Sequence, residues 1–288
     1  MTALATMYPN NILGSDPAVL RDYAQAAEAA GYDRLILAEH VLGAHPDRPG
    51  GWDGPYDHTI EWQEPVATFG FLSAVTETIE LMTGVLILPQ RQTSLVAKQV
   101  AQLDVLSNGR IVLGVGTGWN PVEYDALGQD FRTRGRRMDE QIKLLRMLWK
   151  DDVITFEGEF DRVDNAGLNP LPPRRDVPIW MGGNHPLALD RIGRVGDGWF
   201  PLRLPRAAMT EGMSRIGEAA AKAGRADADI GLQVVIAERG DLEGQVGAAR
   251  RMAEDGATNV GFASQEAPLA TPQEHIDVMT RFAEAMKA

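Results

Sequence analysis

Few residues in this chain have the type and spacing to do chemistry, and they gather where short apolar runs end. Glu39 and His40 close the run DRLILA at residues 33–38. A His at a strand's C-terminal end is placed for proton transfer or for holding a substrate; a satisfied structural His has the same spelling. Gly114, Gly116 and Gly118 sit in RIVLGVGTG, residues 110–118. A dinucleotide fingerprint needs G-x-G-x-x-G, and its third glycine would fall on Trp119, so that reading fails. The spacing still marks a strand end that something approaches closely, whether a ligand or barrel packing. Gly182-Gly183-Asn184 lead from an apolar run into a helix starting near Pro186. Bare N–H groups there would suit a phosphate; an ordinary strand–helix turn reads the same way.

Other clusters point to less. His45, His58, Asp47, Asp53 and Asp57 share residues 41–63 without metal-ligand spacing, so no metal site is expected. Trp52, Tyr56 and Trp62 in that stretch line an apolar pocket or anchor the loop. Arg134, Arg136 and Arg137 stand beside Asp139 and Glu140, an ion-paired helix start before it is a phosphate clamp. There is no cysteine, which removes disulfides, thiolate nucleophiles and thiolate-bound metals. No P-loop, HExxH or G-x-S-x-G elbow occurs.

The elements that must position these residues alternate strictly. Apolar runs at 3–8, 33–38, 79–86, 111–115, 178–181, 198–200, 231–236 and 258–262 read as strands. Between and after them, helices are expected at 16–30, 65–77, 94–106, 134–149, 186–195, 207–223, 243–254 and 272–286. Asp16 is a candidate N-cap, with Pro17 in the first turn and Gly31 as the stop. The strands lack polar alternation, as strands covered on both faces do, and intervening helices imply parallel crossovers. Eight such units in 288 residues fit a single (β/α)8 TIM-like barrel over 1–288, ahead of a doubly wound sheet with an appendage. Two additions interrupt it: a long loop after strand 2, at 41–63, and a small hairpin near 153–163 turning at Gly158.

Composition narrows the partners. Forty acidic against twenty-eight basic residues give a net charge of −12, which repels nucleic acid and anionic lipid. No apolar run approaches the roughly 20 residues of a spanning helix, and MTALATMYPNN has no signal-peptide pattern. A small-molecule substrate and a cytoplasmic location are expected.

The stretch TGVLILPQRQTSLVAKQVAQLDVLSNGRIVLGVGTGWNPVEY (83–124) resembles the bacterial-luciferase-like oxidoreductase superfamily, most of all its coenzyme F420-dependent branch. The resemblance continues through AEHVL (38–42), RGRRMDEQIKLLRMLW (134–149), FEGEF (156–160), VPIWMGGN (177–184) and GDGWFP (196–201). It covers roughly residues 10–205; the tail matches only in its βα pattern.

The resemblance implies a TIM-like barrel holding a flavin or deazaflavin at the strands' C-terminal ends. It implies a cis non-proline peptide at Gly84-Val85 behind the cofactor ring, and His40 near that ring with Glu39 beside it. Thr117, Gly118, Trp119, Asn120 and Glu123 match the loop beside the cofactor. Met181, Gly182, Gly183 and Asn184 match its phosphate-binding turn. His40 is then the candidate for proton transfer and Glu123 a second one. The activity implied is hydride transfer between coenzyme F420 and a small organic substrate, in a homodimer. An FMN-dependent two-component monooxygenase and a non-catalytic flavin-binding protein are the alternatives. Residues 43–63 assign no substrate.

Overall fold

The computed structural model describes residues 2–201, 203–226, 229–239 and 241–288. Its centre is a closed barrel of eight parallel strands wrapped by helices. The strands are β1 (Ala3–Met7), β2 (Arg34–Leu37), β3 (Glu80–Thr83) with its short continuation β4 (Leu86–Ile87), and β5 (Ile111–Gly116). After a two-stranded excursion, β6 (Ile154–Glu157) and β7 (Arg162–Ala166), come β8 (Ile179–Gly182), β9 (Gly198–Phe200), β10 (Gly231–Ala237) and β11 (Asn259–Ala263). The order β3-β2-β1-β11-β10-β9-β8-β5 closes through a β3–β5 pairing.

The four residues of β2 are all buried, yet they face two ways. Leu35 and Leu37 join the large core under the helices, while Ile36 joins a small cluster with Ala5, Met82, Val112 and Trp180. A pleat of period two thus divides one apolar run between the barrel interior and the helix layer. Strands buried on both faces need no polar alternation, which is why none was legible.

Helices α1 (Asn10–Leu13), α2 (Pro17–Ala29), α3 (Pro65–Val75), α4 (Thr93–Leu106), α5 (Pro121–Ala126) and α6 (Arg134–Lys150) lie in the first half. Helices α7 (Pro186–Val195), α8 (Arg206–Lys222), α9 (Leu242–Glu254) and α10 (Pro272–Lys287) complete the layer. Asp16 caps α2 as expected, accepting from the Ala18 and Val19 N–H groups. No helix of the described residues is long and apolar enough to cross a membrane.

Three expectations change. The run 79–86 is not one strand: it breaks between β3 and β4 at a cis Gly84–Val85 peptide. The hairpin turns at Gly158, but its second strand continues to Ala166. That strand is mostly exposed and polar, so it carries no periodic apolar signal. The short helices α1 and α5 were not anticipated, because four to six residues are too few to show a helical period.

Candidate functional site

A cavity of about 670 Å³ opens at the C-terminal ends of the strands, within the range of cofactor sites. Its floor is the β3–β4 break. A side chain at Gly116 would lie 2.7 Å from Val85 Cγ2, and one at Gly118 2.7 Å from Ile87 Cγ2. A side chain at Gly182 would come within 3.3 Å of Val85 Cγ1. The glycines therefore admit Val85 and Ile87 as an apolar shelf. Gly114, the first of the trio, instead clears the Thr83 carbonyl, which a Cβ would meet at 1.9 Å. The close approach read from the sequence is made by the neighbouring strand and its shelf.

Glu39 ties the shelf to β2. Its Oε1 accepts from the Ile87 N–H at 2.8 Å, and Arg91 Nη2 donates to Oε2 at 2.5 Å. Burial pushes the Glu39 carboxyl up, against the pull of Arg91 and the Ile87 N–H.

His40 forms the opposite wall. Its Nδ1 lies 2.7 Å from Tyr56 Oη and 3.4 Å from the Glu123 carboxylate. Glu123 is only 1 % exposed and does not line the cavity. Its Oε1 accepts from the Val41 and Leu42 N–H groups at 2.7 and 3.2 Å, bracing the turn after His40. Burial alone would push the Glu123 carboxyl up, but the His40 ring and those two N–H groups outweigh it and hold it below the usual carboxylate range.

The long loop returns over this wall. The Trp62 and Trp119 rings meet His40 edge-on at 4.9 and 5.9 Å, and both line the cavity. Trp52 stacks on Trp119 at 5.8 Å and donates from Nε1 to the Tyr56 carbonyl at 2.7 Å. Of the loop's three large aromatics, Trp62 lines the pocket while Trp52 and Tyr56 anchor the loop.

At the far edge, Gly183 adopts φ +110°, and a side chain there would meet nothing closer than Ala188 Cβ at 3.4 Å. The first turn of α7 is already capped, since Leu187 N donates to His185 Nδ1 and Pro186 has no N–H. The open part is thus the Gly182–Gly183 turn ahead of the helix.

Of the residues singled out from sequence, Glu39, His40, Gly84, Val85, Thr117, Gly118, Trp119, Gly182 and Gly183 line this one cavity. Asn120, Glu123, Met181 and Asn184 stand outside the lining. Asn120 is buried as the N-cap of α5, and Met181 packs into the helix-facing core. His45 and His58 stack on each other, and no group of three metal-capable side chains occurs among the described residues. Arg136 pairs with Glu159, while Arg134 and Arg137 donate to Phe131 O and Gln129.

Sequence reading missed Phe200, Met209, Ile236, Met252 and Gln265, which also line the cavity. Phe200 lies inside the GDGWFP motif without chemistry of its own, while the other four follow the stretch with recognisable motifs, where ordinary residue types carry no chemical signal. Among the described residues, two in the lining hold buried polar atoms without a hydrogen-bond partner, Gln265 Oε1 and Trp62 Nε1. An apolar shelf, an orphaned acceptor and an open glycine turn together fit a flat, polar-edged ring carrying an anionic tail.

A family model described as luciferase-like monooxygenase matches residues 3–285. An uncharacterized protein of Mycobacterium tuberculosis is 36 % identical over 187 residues, 62 % of each chain, so this chain spans about three-fifths of that relative's length. The F420-dependent glucose-6-phosphate dehydrogenase of Nakamurella multipartita is 34 % identical over 187 residues, 64 % of this chain and 52 % of its own. The FMNH2-dependent dimethylsulfone monooxygenase of Pseudomonas fluorescens is 35 % identical over 183 residues, 62 % of this chain and 46 % of its own. Among solved structures, an F420-dependent secondary alcohol dehydrogenase superposes with a TM-score of 0.83 at 18 % identity, covering 100 % of this chain and 99 % of the other.

Proposed function

The chain belongs to the luciferase-like monooxygenase family, and from that premise we propose that it is a coenzyme F420-dependent oxidoreductase acting on a small organic substrate. The observation that carries this reading is the cavity itself, with its Val85–Ile87 shelf on one side and a braced His40 on the other. Val85, Ile87 and Phe200 would back the cofactor's ring, Gln265 would accept from its polar edge, and the Gly182–Gly183 turn would take its phosphate. Bound there, the deazaflavin supplies hydride-transfer chemistry.

The chain's own residues do the rest. With its Nδ1 held by Tyr56 Oη, His40 leaves Nε2 as the ring atom that would move a proton to or from substrate in the cavity it lines. Glu123 acts through the turn it braces, orienting His40. Trp62 and Trp119 exclude water from the space between His40 and the shelf. The same reading makes the chain one domain and a cytoplasmic homodimer, the latter checked by sedimentation.

An FMN-dependent monooxygenase is the second reading, favoured by the dimethylsulfone monooxygenase relative. Fluorescence titration with both cofactors separates the two. We expect the deazaflavin to bind more tightly; micromolar binding of FMN with none of the deazaflavin overturns the proposal. The phosphate turn is tested by comparing Gly183→Asp with Gly183→Asn. Both strain a φ of +110°, so their difference isolates charge. The aspartate should weaken cofactor binding by a further 1–3 kcal/mol or about 5- to 150-fold, through like-charge repulsion at a partly buried site. Equal affinities would place the phosphate elsewhere.

A further inference from the structure

Behind His40 runs a hydrogen-bond chain whose direction can be read from its far end. Asn120 Oδ1 accepts from the Val122 N–H at 3.0 Å, as the N-cap of α5. The amide's other half, Nδ2, therefore turns to Tyr56 and donates to its Oη at 2.9 Å. Burial raises the Tyr56 phenol, so it keeps its proton at neutral pH. Among the described residues, the acceptor that faces this proton is His40 Nδ1 at 2.7 Å. A neutral imidazole whose Nδ1 accepts must carry its proton on Nε2. The other group facing Nδ1, the Glu123 carboxylate, stands farther off at 3.4 Å; its Oε1 accepts from the Val41 and Leu42 N–H groups and its Oε2 from Gln90 Nε2 at 3.4 Å.

We propose that Asn120 and Tyr56 are positioning residues that fix His40 as the Nε2–H tautomer, and that the site thereby selects substrates presenting an uncharged acceptor oxygen, a carbonyl group, on an apolar body. This deepens the reading of the same cavity given above and rests on it for the reaction. The apolar body is required by the walls: Trp62 and Trp119 flank His40, and Val85 and Phe200 lie across from it. A charged substrate finds no free cation. Among the described residues, Arg203 is the one Lys or Arg side chain in the lining, and Glu266 already pairs with it.

The tautomer is read by ¹⁵N NMR on histidine-labelled protein without cofactor, the His40 signals being assigned with His40→Asn. Wild type should show Nε2 protonated and Nδ1 bare. Tyr56→Phe removes the donor to Nδ1 and should move the proton to Nδ1, facing Glu123. Asn120→Asp keeps the helix cap but cannot donate, so the Tyr56 hydroxyl turns to the new carboxylate and Nδ1 is released in the same way. A purely structural role for either residue predicts lower Tm with the His40 tautomer unchanged. Ligand choice is read by tryptophan fluorescence with acetophenone, its deoxygenated analogue ethylbenzene, and glucose 6-phosphate. Acetophenone should bind about tenfold more tightly than ethylbenzene in wild type, the size of one hydrogen bond, and lose that advantage in Tyr56→Phe. Glucose 6-phosphate should not compete.

A bare Nε2 in wild type, a tautomer indifferent to both substitutions, equal binding of acetophenone and ethylbenzene, or preferential binding of the sugar phosphate would each overturn the proposal. Failure of the functional reading shows separately, as an absence of deazaflavin binding with the tautomer and ketone results intact.

Discussion

The two ends of the barrel treat polar groups in opposite ways. At the N-terminal end, Arg34 is 5 % exposed and fully occupied. Its Nε and Nη2 donate to Glu80 Oε2 at 2.9 and 2.7 Å, and its Nη1 reaches Gln233 Oε1 at 3.5 Å. The guanidinium also lies 4.7 Å over the Trp180 ring. At the C-terminal end, Gln265 Oε1 and Trp62 Nε1 are buried without a hydrogen-bond partner among the described residues, and His40 faces the cavity beside them. A buried polar atom left unpaired costs about 1–3 kcal/mol, and the two in the cavity lining stand where a ligand can supply what the fold omits. The lower end closes the barrel; the upper end leaves it chemically unfinished.

The sharpest way to break that contrast is at His40. If its interaction is made mainly in the transition state, His40→Ala should lower kcat by roughly 10²–10⁴ while cofactor affinity and Tm stay near wild type. The assay uses a substrate found by screening against deazaflavin oxidation and reduction. A folded variant with wild-type kcat would leave His40 as a wall of the pocket.

The opposite pattern is expected at the other end. Arg34→Leu removes the ion pair and strands Gln233 Oε1 beside an apolar side chain. Glu80 keeps partial access to water, with 40 % of its side chain exposed, which softens the loss. Stability measured by urea unfolding should fall by about 2–4 kcal/mol, below the cost of breaking a fully buried pair. Deazaflavin affinity of the folded protein should not change. A stable variant with weakened cofactor binding would mean that the lower plug shapes the upper site.

The two ends also differ in how much of them a sequence displays. The alternation of apolar runs and helices was enough for the barrel, because buried parallel strands and capped helices are local patterns. His40, the Gly182–Gly183 turn and the 117–119 loop were legible because each follows directly on a strand end. What escaped depends on the chain's return through space. Tyr56 reaches His40 across 16 positions and Asn120 across 64, and neither spacing has a period. Arg34 reads as a charge at the start of an apolar run. Only closure of the barrel places it under Trp180. Glu123 reads as a second acid beside the cofactor loop, whereas in the fold its carboxylate faces backbone N–H groups. Gln265 and Met252 lie in the tail, where ordinary residue types acquire a role solely by position.

One orphaned atom at the upper end tests whether all of them serve a ligand. His275 on α10 is completely buried; its Nδ1 lies 2.8 Å from Ser264 Oγ and its Nε2 has no partner among the described residues. Unlike Gln265, it does not line the cavity. Burial lowers its basicity below the usual histidine value, with Glu274 pulling weakly the other way. As pH falls below the unfolded value of about 6.5, the unfolded chain takes up a proton that the folded chain refuses. Stability should therefore be fully present above that pH and drain away beneath it, by at most about 1.4 kcal/mol per pH unit for this one proton, until the folded ring also titrates. His275→Gln can still hydrogen-bond Ser264 but cannot charge. Comparing urea midpoints between pH 8 and pH 5.5, the variant should lose less stability than wild type, with cofactor affinity at pH 8 unchanged. Parallel pH curves would remove His275 as the source of acid sensitivity. A change in cofactor affinity would instead make the dry orphan part of the binding end after all.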